Sequence, residues 1–170
     1  TKKTLCFILA ACLLLAVPAL AAGGTGLRTS EAGIAFIKDK EGFSAQAYED
    51  STGWAIGYGT RCQAGQYPDG ITEAQADTFF ESDIRTVENQ VNALPLHLGQ
   101  YQFDAVVSFC FNVGIGKFKK STLYKKIRAD AYDSSIPAEF KKWIYGGGKI
   151  LPGLVTRREW EAKRYQGLTI

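Results

Sequence analysis

The chain has 170 residues, 46% of them apolar, and a formal net charge of +3. That suffices for one domain or two small lobes around a core. There is one histidine, no zinc-finger spacing, no phosphate-binding loop and no dinucleotide fingerprint, which argues against metal and nucleotide chemistry. The charge is unevenly spread. Up to Gly114 there are 7 basic and 12 acidic residues, and from Ile115 onward 13 basic and 5 acidic. A basic C-terminal half suits a polyanionic partner, a nucleic acid among others, or is a set of solvated helix faces.

Lys2 and Lys3 precede an apolar run from Leu5 to Val17 that is interrupted only by cysteines. Pro18, the small residues Ala19 to Ala22 and then Gly23-Gly24 follow. Residues 1–24 thus have the layout of a secretory signal, with cleavage expected after Ala21 or Ala22. The competing reading is a retained signal-anchor. As a helix, Leu5 to Ala22 would span about 27 Å, just short of a ~30 Å bilayer core. Residues 25–170 form the remaining unit, entered through a Gly/Thr linker.

Ser30 is placed to cap a first helix whose Ile34, Ile37 and Glu41 share one face. Gly42 is expected to stop it in the left-handed conformation. Glu41 then sits on the last turn, at the partly negative end of the helix dipole and beside Phe43, a setting suited to a general acid. Asp50 lies among turn formers, Glu49-Asp-Ser-Thr-Gly53, where a carboxylate stays wet and ionised. Trp54 to Thr60 reads as a strand interrupted by glycines. The two carboxyl groups therefore occupy contrasting environments, as an acid and a base would. A plain helix-end acid and a turn aspartate would give the same spacing.

A turn-rich loop from Arg61 to Gly70 leads to a short strand near Ile71. Thr72-Glu-Ala-Gln75 is a capping box. It opens a helix to about Leu94 with Ala76, Phe80, Ile84, Val87 and Val91 on one face. Leu94 to Gly99 breaks the pattern and leaves His97 in a loop. Gln100 to Val113 is apolar nearly all round, which marks a buried central helix. Asn112, if buried there, needs partners. Ser121 caps a helix carrying Leu123, Tyr124 and Ile127. Pro137 is expected at the first position of another, carrying Phe140, Trp143 and Ile144. Gly146-Gly-Gly148 is a loop, and Leu154 to about Tyr165 is the last helix, opened by Arg157 and Arg158.

Glu41-Gly-Phe, Tyr48-x-Asp50 and Gly53-Trp-x-Ile-Gly-Tyr-Gly59 together resemble the catalytic segment of the phage lysozyme (endolysin) family of muramidases. Gln102 to Gly114, Phe118 to Leu123 and Leu151 to Glu159 resemble its C-terminal lobe, in the same order. The resemblance covers roughly Ser30 to the C-terminus. It implies an α+β lysozyme-like fold. A small lobe of about 30–75 would carry a β-hairpin or three-stranded sheet, and a helical lobe would occupy about 90–170. It implies hydrolysis of the β-1,4 bond between N-acetylmuramic acid and N-acetylglucosamine in peptidoglycan, with Glu41 as acid and Asp50 holding water or stabilising positive charge. Phe111, Asn112, Ser121 and Arg157 are then expected along the substrate cleft, with one of Arg157 and Arg158 pairing with Glu41. No cofactor or metal is implied. The implied partner is the glycan strand, not nucleic acid, and the enzyme is expected to be a monomer. One subclass of endolysins is exported on an uncleaved signal-anchor that later leaves the membrane, and residues 1–24 resemble it. That implies transient contact with the inner membrane and a place in the host periplasm. The rival readings are a lytic transglycosylase and a non-enzymatic wall-binding module.

One position departs from the family. The usual strand has a Thr just before Ile-Gly, which helps to hold the attacking water. Here that slot is Ala55. Candidate replacements are Ser51, Thr52 and Thr60, of which Thr60 is placed by alternation on the side opposite Ala55. Four cysteines, Cys6, Cys12, Cys62 and Cys110, permit three complete pairings. If the N-terminus is cleaved, only Cys62 and Cys110 remain, in a compartment that allows a bond.

Export is expected to depend on the N-terminal segment. A chain lacking residues 1–24 should stay in the cytoplasm, fold and be active in vitro. The mass of the exported protein decides the rest, because a species beginning near Ala22 would exclude the retained anchor.

Overall fold

The computed structural model describes residues 26–50 and 52–168. The signal or anchor segment 1–24 lies outside the described residues. Among the described residues no helix is long and apolar enough to cross a membrane.

Helix α1 spans Glu31–Glu41, with the Ser30 hydroxyl accepting from the Gly33 amide at 3.2 Å. It ends where Gly42 turns to φ 69°, ψ 155° while donating its amide to Lys38 O. That φ favours glycine, but the ψ lies outside the compact left-handed turn, so the chain leaves α1 extended rather than folding back. It runs directly into β1 (Ser44–Asp50), followed by β2 (Gly53–Gly57) and β3 (Thr60–Cys62), an antiparallel sheet in the order β1-β2-β3. Asp50 pairs with Gly53, Tyr48 with Ala55, Ala55 with Arg61 and Ile56 with Thr60, with an irregularity between Ser44 and Tyr48. The expected strand near Ile71 does not form. Ile71 gives only one backbone hydrogen bond, to Ala45 O at 2.8 Å.

The capping box at Thr72 and Gln75 opens α2 (Glu73–Asn92), whose Ala76, Phe80, Ile84 and Val91 are buried as the spacing predicts. Helix α3 (Gln100–Val113) is buried continuously from Gln102 to Cys110 and packs against α1, α2, α4 and α7. Around it lie α4 (Ile115–Lys120), α5 (Thr122–Ala129), α6 (Ile136–Phe140) and α7 (Pro152–Tyr165). Helix α6 is shorter than the sequence suggests. Pro137 is its second residue, and Trp143 and Ile144 fall beyond its end. Of the glycines at 146–148, Gly146 ends a strand and only Gly147 and Gly148, both at positive φ, form the turn of a hairpin, β4 (Tyr145–Gly146) with β5 (Lys149–Ile150).

Two features bind the helices to one another. Asp104 of α3 accepts from Ser30 N and Oγ at 2.9 and 2.7 Å and from Arg164 of α7 at 2.6 Å, tying the start of α1 to the central helix. The second is the aromatic cluster about Phe109. Its ring meets Phe118, Phe140 and Trp143 with centroids 5.9, 5.5 and 5.3 Å away, and the Arg158 guanidinium lies 4.7 Å over it. Truncating Phe109 leaves a void that these rings cannot all close. Phe109→Ala should cost ~3–5 kcal/mol, read as a lowered midpoint in urea at unchanged slope.

Candidate active site

The site forms where the end of α1 meets the sheet and α7. Glu41 is the last residue of α1, with its side chain 23% exposed. Its Oε1 accepts from Arg157 Nη1 at 2.6 Å. Its Oε2 points to the β2–β3 turn, 3.9 Å from where a Cβ on Gly59 would stand. Arg157 is itself buried, at 3% exposure. It also donates to Ser108 O at 3.2 Å, and its Nε lies 3.5 Å from Glu161 Oε1. Glu161, fully buried, accepts from the Ser108 hydroxyl at 2.8 Å and from Arg158 at 2.5 Å. Arg158 further donates to Trp143 O and to Asn112 Oδ1. Two adjacent arginines of α7 thus divide the work. Arg157 reaches across to α1, and Arg158 braces α3 and the approach to the hairpin.

Asp50 is the last residue of β1. Its carboxylate is gripped from two directions. Arg61 on β3 donates Nη1 to Oδ1 at 3.0 Å and Nη2 to Oδ2 at 2.9 Å. Thr52 donates both its amide and its hydroxyl to Oδ1 at 2.7 Å. Arg61 first, then Thr52, holds the Asp50 carboxyl well below the usual carboxylate range. The side chain stays 35% exposed, so this carboxylate is wet as well as ionised.

The other expected site residues are placed as follows. Thr60 lies on the face opposite Ala55, and its hydroxyl donates to Asp83 of α2 at 2.6 Å, so it ties the sheet to α2 rather than facing Asp50. Ser51, the other turn hydroxyl considered, lies outside the described residues. Asn112 is exposed, not buried as its neighbours led one to expect, because α3 emerges from the core over its last turn. Phe111 is half-buried, its ring 5.5 Å from Phe80. Ser121 is buried, and its hydroxyl is fully engaged, donating to Phe118 O at 2.7 Å and accepting from Tyr124 N at 3.0 Å as the cap of α5. His97 is exposed in its loop. Among the described residues Cys62 and Cys110 are both free and do not pair with each other, and burial pushes the Cys110 thiol upward, away from reactivity. Cys6 and Cys12 lie outside the described residues. Among the described residues no cluster of three or more metal-binding side chains occurs.

Sequence reading missed Arg61. The signal was available: strand pairing sets Arg61 opposite Ala55, on the same face of the sheet as Asp50. It also missed Ser108 and Glu161, which look like ordinary helix residues until α3 and α7 are packed together.

The phage lysozyme family model matches residues 38–161, from the last turn of α1 to Glu161. The chain belongs to the phage lysozyme family. It is 37% identical over 146 residues to the endolysin of Acyrthosiphon pisum secondary endosymbiont phage 1, covering 82% of this chain and 99% of that protein. Against the endolysin of Bacillus phage PZA it is 37% identical over 79% of its length, but spans only 54% of that relative. Against the SAR-endolysin of Enterobacteria phage P21 it is 32% identical, covering 71% of this chain and 74% of the relative. Among solved structures, the muramidase domain of SpmX from Asticaccaulis excentricus superposes with a TM-score of 0.69 at 30% identity, covering 81% of this chain and 97% of that domain. A phage lysozyme is an α+β enzyme that degrades peptidoglycan, and the helices and three-stranded sheet of this chain are that fold.

The Thr60–Asp83 bond gives a test of what Thr60 does. Thr60→Val keeps the shape but removes the donor to a charged acceptor, worth ~1.5–3 kcal/mol of stability. Lytic rate per folded molecule should change less than ~10-fold. Thermal unfolding paired with a lysis assay below the transition separates the two effects.

Proposed function

We propose that the chain is a muramidase that hydrolyses the β-1,4 bond between N-acetylmuramic acid and N-acetylglucosamine. The observation that carries this reading is the pair of unlike carboxyls. Glu41 is held half-enclosed at a helix end by a buried arginine, and Asp50 is held open and ionised at the end of β1. In the first step Glu41 gives its proton to the glycosidic oxygen, and the C–O bond breaks with its electron pair going to that oxygen. The sugar left behind carries oxocarbenium-like positive charge, which Asp50 stabilises. A water then bonds to the anomeric carbon and its proton passes to Asp50. Solvent returns a proton to Glu41 and accepts the one on Asp50, so both groups are restored. Arg157 fixes the rotamer of Glu41, and Phe111 and Asn112 are the residues proposed nearest the sugar rings. Ser121, with its hydroxyl engaged, would contribute by holding α5 in place.

Resemblance to a SAR-endolysin and the layout of residues 1–24 support export to the host periplasm, through a membrane-tethered stage or a cleaved signal. There the enzyme would act as a monomer on glycan strands and cause lysis. Ala55 is the one observation that favours a lytic transglycosylase instead, since that reaction needs no held water. Products decide: a hydrolase leaves reducing ends, and a transglycosylase leaves anhydro-muramic ends.

Glu41→Gln keeps the shape and removes the transferable proton. Its rate on chloroform-treated Gram-negative cells should fall by ~10²–10⁴, with unfolding little changed. Near-normal lysis by that variant sinks the assignment, and full binding without lysis by the wild type would leave only a wall-binding module.

A further inference from the structure

Asp50 has more partners than a turn carboxylate needs. Oδ1 accepts three hydrogen bonds, from Arg61 Nη1, Thr52 N and Thr52 Oγ1. A carboxylate oxygen offers about two lone-pair directions, so Oδ1 has no room for a water. Among the described residues Oδ2 accepts only from Arg61 Nη2, at 2.9 Å. Those residues leave it one acceptor direction, and Arg61 fixes which one. The two-pronged contact sets the carboxylate plane as well as its place, which a single bond could not do.

Arg61 reaches Asp50 by crossing the middle strand. Asp50 is on β1, opposite Gly53, and Arg61 is on β3, opposite Ala55. Gly53 and Ala55 are the β2 residues on that face between them, and they carry a hydrogen and a methyl group. The guanidinium passes over this low ground, with Nη1 also 3.5 Å from Gly53 O. The missing hydroxyl at Ala55 and the presence of Arg61 are thus two sides of one arrangement. Where a β2 hydroxyl would help Asp50 to hold water, this sheet has a short side chain and a guanidinium fork instead.

We infer that Arg61 is a positioning residue for the reaction, orienting Asp50 so that the single open lone pair of Oδ2 holds the attacking water. The inference rests on the muramidase reading above. It gives Arg61 two separable effects. The fork sets geometry, and the positive charge keeps Asp50 ionised in acid. Loss of the charge lets Asp50 take a proton nearer the ordinary value of about 3.9. Because the ionised form is the active one, activity then falls at a higher pH than in the wild type.

The experiment is kcat/KM against pH, from about 3 to 7, on soluble peptidoglycan fragments. It compares wild type, Arg61→Gln, Arg61→Lys and Asp50→Asn, each shown to be folded by circular dichroism at every pH used. Arg61→Gln should lose ~10- to 100-fold at neutral pH, as expected for a misaligned reactive group, and its acid limb should move upward. Arg61→Lys should keep the acid limb of the wild type, because the charge remains, but not recover the rate, because the fork is gone. An Arg61→Gln enzyme with wild-type rate and pH profile overturns the inference, as does an Arg61→Lys enzyme of full activity. If Asp50→Asn is fully active, the assignment of Asp50 fails and takes the inference with it. If Asp50→Asn is dead while Arg61→Gln is normal, only the inference fails.

Discussion

The buried guanidinium of Arg157 is the contact on which the site depends. It joins three elements that are far apart in the chain: Glu41 at the end of α1, Ser108 in the middle of α3 and Glu161 one turn further along α7. A cation so placed is costly to take out of water and is stable only while its partners surround it. The partners need it in turn. Without Arg157, Glu41 loses its one side-chain partner among the described residues, and Glu161 keeps one arginine instead of two. The ion pairs therefore act less as a source of net stability than as a requirement that α1, α3 and α7 meet in one relative placement. That same placement puts the Oε2 of Glu41 against the sheet.

The apolar pattern made most of the helical lobe legible. The bounds of α3 follow from a segment that is apolar nearly all round. The buried face of α2 follows from positions three and four apart, and the starts of α1, α2 and α5 follow from Ser30, Thr72 and Ser121, whose hydroxyls make the capping bonds expected of them. These features are local, so local sequence specifies them. What was not legible depends on partners distant in sequence. Asn112 is exposed because of where α3 leaves the core, which its own neighbours do not encode. The β4–β5 hairpin is only two residues per strand, too short to show alternation. The strand expected near Ile71 is replaced by one hydrogen bond to Ala45, a choice made by the sheet edge and not by Ile71.

The site divides along the same line. Glu41 and Asp50 were visible because each sits at a punctuated boundary, a helix end before Gly42 and a turn before Gly53. Their partners were not. Arg157 was expected only through resemblance, and Arg61 needed the strand register to bring it to Asp50. A register is a long-range fact, but here it follows from two adjacent turns. The signal for Arg61 was therefore weak rather than absent, whereas that for Ser108 and Glu161 did not exist before the helices packed.

The two carboxyls are held by opposite means, and this bears on how each responds to its surroundings. Glu41 and Arg157 form a largely enclosed pair fixed by the core of the helical lobe, so dissolved ions reach it poorly. Asp50 and Arg61 form a pair on the open face of a three-stranded sheet, with side chains 35% and 54% exposed, where salt screens attraction and side-chain motion competes with it. Yet the exposed pair has the better geometry, a two-pronged contact supported by two bonds from Thr52. Geometry compensates for exposure: a single surface ion pair contributes little order, but four hydrogen bonds on one carboxylate fix its plane. Glu41 is thus positioned by burial and Asp50 by bond count. Asp50 remains wet without losing its orientation.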